Sequence, residues 1–265
     1  MTSNRTITHD ALRDGWTMTR RELTQLRYAP GEVAGMVIFP GILVVLFGYI
    51  FGSAIHIPGD GNYREFLMPG LFAMTALAGV MVNAVLISKD VANGVMDRFR
   101  SMPIIRTAVP FGRAATDLLT TTVGLAIMAL IGYLVGWRAH NGLLAALAGF
   151  GLILLLRFAL SWVGTYAGLC LKPETADQFV PLVFPVSMLS NSFVPTSGMP
   201  TVLRVIANWN PVSALVTACR NLFGNPSPVA ASAWPLQHPY FTTIAWSVAL
   251  LAIFVPLASR RFARP

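Results

Sequence analysis

The sequence predicts an all-α membrane protein with six transmembrane helices. Three observations carry that prediction: too few charges for a soluble domain, apolar runs of spanning length, and basic residues gathered largely on one side of those runs. Of 265 residues, 55% are hydrophobic and 11% charged, whereas soluble domains carry about 25% charged residues. The mean hydropathy of +0.62 agrees. A span needs about 20 mostly apolar residues, and six segments qualify: 33–51, 66–87, 114–136, 143–171, 179–194 and 240–258. The fifth is short and holds Pro181 and Pro185. Hydrocarbon offers no water to backbone N–H and C=O groups, so runs of this length form helices, which satisfy those groups internally. The chain therefore divides into an N-terminal segment at 1–32, a six-helix membrane domain at 33–258 and a tail at 259–265. The first 32 residues are polar and show no cleavable leader pattern.

The basic residues orient the spans. Arg5, Arg13, Arg20, Arg21, Arg27, Lys89, Arg98, Arg100, Arg106, Arg113, Lys172, Arg260, Arg261 and Arg264 fall on one side, against Arg64, Arg138, Arg204 and Arg220 on the other. The positive-inside rule puts both termini in the cytoplasm of a plasma-membrane protein. The net charge of +8 is thereby a topology signal, and a nucleic-acid partner is not expected. Trp16, Trp137, Trp209 and Trp234 lie outside or at the ends of spans, where amphipathic rings settle at the membrane surface. Gly48/Gly52, Gly132/Gly136 and Gly164/Gly168 have the spacing that lets helices approach closely; ordinary glycine content accounts for them equally well. Cys170 and Cys219 have no metal-ligand spacing and read as buried thiols.

Three segments do not cross. In 7–28, Trp16, Leu23 and Leu26 share one helical face while Arg13, Arg20, Arg21 and Arg27 occupy the others. That pattern is an interfacial helix on the inner leaflet; the alternative is a disordered basic tail. The loop at 88–113 is too polar for lipid and too long for a tight turn. Val91, Val95, Met96 and Phe99 recur at helical spacing opposite Asp90, Asp97, Arg98 and Arg100, and Pro103 ends the pattern. On the residues alone, a docking helix and a solvated connector explain it equally. In 195–235, Val202, Leu203, Val205, Ile206 and Trp209 form an apolar helical face. Asn210-Pro211 then reads as an N-cap with proline at the first helical position, opening a helix from about 212 to 223 that stops at Gly224. Both helices are too short to span and read as re-entrant or interfacial on the external side.

The energy source is bounded by absences in the sequence. A Walker-type phosphate loop needs a lysine followed by Ser or Thr; the lysines here are Lys89, before Asp90, and Lys172, before Pro173. ATP hydrolysis on this polypeptide is not expected. Ion-coupled carriers place acids or histidines inside the membrane, whereas Glu65, Asp117, Glu174 and Asp177 fall at the predicted span ends, and His56, His140 and His238 read as solvated loop residues. An ion-coupled carrier and a polytopic lipid-modifying enzyme are the alternatives from other classes. The second needs clustered acid–base or metal ligands that the spacing does not supply. Arg157 stands near the middle of the fourth span with no acid at its predicted depth. It is a candidate for the translocation path or a subunit interface, or a structural arginine bonded to carbonyls.

Four stretches carry a family resemblance: RRELTQLRYAP at 20–30, FGYIFGSAI followed by YREFLMPGLFAMT at 47–75, VMDRFRSMPIIR at 95–106, and FVPTSGMPTVLRVIANWNPVSALVTACRNLF at 193–223. In this order they resemble the ABC type-two exporter permeases, specifically the daunorubicin-resistance-like drug-export branch, over nearly the whole chain. Where broader relatives carry a glutamate and a glycine–threonine pair in the cytoplasmic loop, this chain has Asp90 and Gly94-Val95. The resemblance implies two six-helix subunits, identical or paralogous, facing each other in the lipid and served by two separate ABC ATPase subunits that hold the ATP and Mg; no cofactor is implied on this chain. Residues 88–103 would enter a groove on the ATPase, with Asp90, Asn93, Gly94, Met96, Asp97, Arg98, Phe99, Arg100 and Pro103 as coupling residues. Trp16, Arg20, Arg21 and Leu23 would mark the interfacial helix, and Pro195, Pro200, Asn210, Pro211 and Arg220 the external re-entrant segment. The implied cargo is a hydrophobic drug or lipid-like compound moving outward, with a polysaccharide or lipid as the rival cargo.

Overall fold

Long apolar helices running side by side make up most of the described residues. The structure, a computed structural model, describes residues 38, 41–46, 63–95, 108–194, 196–225 and 233–263. The predicted interfacial helix with Trp16, Arg20, Arg21 and Leu23 lies outside the described residues, as does most of the first predicted span. Residues 41–45 of that span are helical, and Val44 is buried in the core.

Among the described residues, four helices are long and apolar enough to cross a membrane: α1 (Tyr63–Ala92), α2 (Ala108–Val135), α3 (Gly142–Cys170) and α9 (Pro239–Ala263). They coincide with the predicted spans at 66–87, 114–136, 143–171 and 240–258, starting one to six residues earlier, with α1 and α9 also ending five residues later. At 30 residues, α1 is about 45 Å long, enough to clear a hydrocarbon core of about 30 Å. Glu65 in its first turn and Lys89 in its last each oppose the nearby end of the helix dipole.

The fifth predicted span, at 179–194, has different bounds. Pro173 starts the helical run at the first position of α4 (Pro173–Phe179), which passes through one 3-10 turn (Val180–Leu182) into α5 (Val183–Met188). Turns follow from 189 to 193. Pro181 and Pro185, noted in the sequence, each withdraw a backbone N–H, and the run tightens into the 3-10 turn there. After a 3-10 turn (Thr196–Gly198) come α6 (Thr201–Trp209), α7 (Pro211–Phe223) and α8 (Trp234–Gln237), which lead into α9.

The core is built on the parallel pair α1 and α3. A Cβ on Gly164 would overlap the Val80 carbonyl oxygen, and one on Gly168 would stand 2.6 Å from that of Ala84. Both glycines therefore let α3 lie directly on the backbone of α1, the close-approach reading of that pair. Above this seam Phe72, Trp137, Phe150 and Phe223 interlock, Phe72 with centroid separations of 5.2 Å from Trp137 and 5.3 Å from Phe150. Trp137 is 5% exposed. It belongs to this core rather than to the membrane surface, because its indole Nε1 donates to Asn225 Oδ1 at 3.0 Å and so needs no headgroup partner. Trp209 and Trp234 are exposed, as an interfacial position requires. Cys219 is buried, but Cys170, at the end of α3, is exposed; the sequence reading of a buried thiol fails there because α3 ends at that residue.

Candidate coupling end, buried charge centre and external wedge

The base of the predicted coupling loop is the last turn of α1. Asn93 N–H still donates to the Lys89 carbonyl, but Gly94 takes φ +66°, the left-handed conformation that glycine adopts freely and that ends helices. The helix predicted to run continuously through 90–100 is therefore interrupted. Asp90 belongs to α1, and helical geometry resumes at Val95. Met96, Asp97, Arg98, Phe99, Arg100 and Pro103 lie outside the described residues. Asp90 forms an ion pair with Arg113 of α2, which closes the base of the loop, while Asn93 at its mouth is exposed. Lys89 reaches Asp177 of α4 at 3.5 Å; half-exposed on both sides, that pair contributes at most about 1 kcal/mol.

In the middle of the bundle, Arg157 of α3 is 8% exposed and all three of its nitrogens are engaged. Nε donates to Asp117 Oδ2 at 2.7 Å and Nη2 to Asp117 Oδ1, a two-pronged pair across to α2. Nη1 donates to the Thr75 carbonyl of α1. The guanidinium rests on Gly79, whose missing side chain makes the room; a Cβ there would overlap it. The expectation that no acid stands at the depth of Arg157 is thus corrected. The cause is the helix start: α2 begins at Ala108, ahead of the predicted 114, so Asp117 stands about two and a half turns inside the helix.

The segment predicted to be external follows its sequence signals closely, and its two helices differ in depth. Asn210 Oδ1 accepts from Val212 N–H at 2.9 Å, Pro211 takes the first helical position, and Gly224 ends α7 at φ +74°. Pro200 stands at the N-terminal boundary of α6; Pro195 is outside the described residues. The apolar face of α6 is exposed, Val202 at 72% and Trp209 at 57%. In contrast, α7 is a buried wedge that packs on α1, α3 and α9. Arg220, counted by the sequence reading with the outer charges, is 1% exposed. Its Nε donates to the Phe66 carbonyl and its Nη2 to the Ser192 carbonyl, both at 3.1 Å, and its guanidinium carbon sits 3.7 Å over the Phe66 ring. Two carbonyls and an aromatic face replace the carboxylate.

The α2–α3 turn grips the end of this wedge. Asn225 Nδ2 donates to Glu65 Oε2 at 3.2 Å and to the Arg138 carbonyl, Asn141 Nδ2 donates to the Asn221 carbonyl, and His140 N–H donates to that of Phe223. The His140 ring lies 3.0 Å from Glu65 Oε1, so this histidine has a carboxylate partner and is not a plain solvated loop residue. Sequence reasoning placed Glu65 at a span end without a partner and missed Asn225, because neither belongs to a periodic pattern.

Spanning helices, internally paired charges and a short buried helix, α7, between the last two long ones define a multi-pass membrane protein. The comparison with known families is more specific: the model described as ABC-2 type transporter matches residues 13–223. The chain belongs to the ABC-2 type transporter family. That family consists of transport permease subunits, and membership implies partnership with an ABC ATPase subunit. Among similar proteins is the daunorubicin resistance ABC transporter permease protein DrrB1 of Streptomyces coeruleorubidus, 28% identical over 244 residues, which cover 91% of this chain and 83% of that protein. The probable doxorubicin resistance ABC transporter permease protein DrrC of Mycobacterium tuberculosis (strain ATCC 25618 / H37Rv) is 21% identical over 91% of this chain and 85% of its own length. The probable multidrug ABC transporter permease YbhR of Escherichia coli (strain K12) is 26% identical over 66% of this chain and 49% of its own.

Proposed function

We propose that this chain is the membrane-spanning subunit of an exporter that moves hydrophobic drugs of the anthracycline kind out of the cell, driven by ATP hydrolysed on a separate subunit. The observation that carries this reading is similarity along 91% of the chain to a daunorubicin resistance permease. The permease has six spans, the four long helices joined by one at 33–51 and by the α4–α5 run, with both termini in the cytoplasm. Two copies, or this chain and a paralogue, face each other in the lipid. The loop beginning at Ser88 docks on the ATPase through Asp90, Asn93, Gly94, Met96, Asp97, Arg98, Phe99, Arg100 and Pro103. The structure supports the first part of that surface, since Asn93 is exposed beyond a loop base that Asp90 and Arg113 close. Asp90 contributes there both by its place on the docking surface and by fixing the loop base against Arg113.

The test is efflux of a fluorescent anthracycline from cells producing this chain with and without a cognate ABC ATPase. Accumulation should fall only when both proteins are present and ATP is available. Export driven by this chain alone, or by a proton gradient without ATP, would reject the reading.

A further inference from the structure

The Asp117–Arg157 pair does more than neutralise a buried charge. Asp117 and Arg113 lie four residues apart on α2, one above the other on the same face. Arg113 is tied to Asp90 at the cytoplasmic end of α1, and Asp117 is tied to Arg157 of α3. Arg157 returns to α1 through the Thr75 carbonyl and Gly79. Charges of alternating sign therefore run from the base of the cytoplasmic loop to the middle of the bundle and touch all three helices.

Among the described residues, the helix these ties hold packs lightly on α1 and α3. Leu119, Val123, Leu130, Tyr133 and Leu134 of α2 are all exposed, by 43% to 75%. Its packing contacts with α1 and α3 are much less extensive than those α1 and α3 make with each other. Apolar contacts of that kind slide, whereas a two-pronged ion pair in a low-dielectric interior keeps its partners in register.

The geometry points to Asp117 and Gly79 as positioning residues for transport: they hold Arg157 as a cross-tie that makes α2, the helix entered from the cytoplasmic loop, move together with α1 and α3. This inference rests on the permease reading above. Without the tie, displacement of the loop by the ATPase is absorbed by α2 sliding past its neighbours, and ATP is hydrolysed without export.

The experiment uses the full permease–ATPase complex in proteoliposomes and measures anthracycline moved per ATP hydrolysed. Asp117→Asn is the first variant. Arg220 shows that this fold holds a buried guanidinium on neutral oxygen acceptors, so Asp117→Asn is expected to assemble and to keep its ATPase rate. Transport per ATP should fall about tenfold, within the usual range of coupling between distant sites. Asp117→Glu, which keeps the carboxylate, should recover most of it. Gly79→Ala, which displaces the guanidinium without touching either charge, should also lower the ratio, and it serves in place of Asp117→Asn if that variant yields too little complex. An unchanged ratio in Asp117→Asn or in Gly79→Ala overturns the inference. So does a loss of transport that only follows loss of complex, with the ratio preserved. Failure of the wild-type complex to move cargo with ATP would instead reject the permease reading.

Discussion

Arg157→Ala is expected to cost about 3–5 kcal/mol of stability, the penalty for leaving a buried carboxylate without its partner. The Asp117 carboxylate takes two of its hydrogen bonds from Arg157, and the pair is at most one-tenth exposed on either side. The removed side chain also opens a gap over Gly79. The asymmetry with Asp117→Asn is physical: a guanidinium left behind still has the Thr75 carbonyl and a side-chain amide oxygen, whereas a carboxylate left behind has lost its donors. Arg157→Ala with Asp117→Ala removes both charges and should recover most of the loss, since neutralising a whole pair is often close to neutral. Thermal unfolding of the purified permease in detergent measures all three. If Arg157→Ala melted with the wild type, Asp117 would not depend on Arg157.

Arg98→Glu or Phe99→Glu should disconnect the ATPase from transport. The loop at 95–106 combines an apolar face with both charge signs. Reversing a charge or placing one on the apolar face removes complementarity to a partner while leaving the membrane helices untouched. Losing about 1.4 kcal/mol of docking is a tenfold loss of affinity, so efflux should drop by on the order of tenfold or more at unchanged permease abundance. Co-purification of the ATPase with tagged permease gives the direct readout. Retention of the ATPase and of efflux across such changes at 95–100 would remove the docking assignment.

Local and periodic features were legible before the structure was known. Asn210-Pro211 and Gly224 bracket α7 as their backbone preferences require, because capping depends on neighbours within one turn. The four long helices follow from apolar length alone; Gly164/Gly168 had the close-approach spacing, but the sequence favoured no reading of it and named no partner helix. Features that depend on where one helix stands against another were not legible. Asp117 was read as a span-end residue because Pro110, Gly112 and Arg113 before it look like loop, yet they continue α2 and carry Asp117 inward. Arg220 was counted as an outer charge because nothing in its own turn reveals that Phe66 and Ser192, far away in sequence, offer it carbonyls. The α4–α5 run was misplaced because hydropathy does not register that Lys172-Pro173 is a good helix start while Pro181 and Pro185 tighten the middle. The Asp90–Arg113 ion pair was likewise not legible, because it depends on how far α1 and α2 extend towards each other.

The central claim is that the segment beyond Gly94 faces the cytosol and is covered there by the ATPase. A single reporter at Asn93, exposed at the loop mouth, tests it most directly. Cys170 is exposed and Cys219 buried, so Asn93→Cys in a Cys170→Ser background offers one reactive thiol. A membrane-impermeant maleimide should label it in inside-out vesicles and not in intact cells, and added ATPase subunit should slow that labelling. Labelling from the outside of intact cells, or labelling at the same rate with the ATPase bound, would contradict the account.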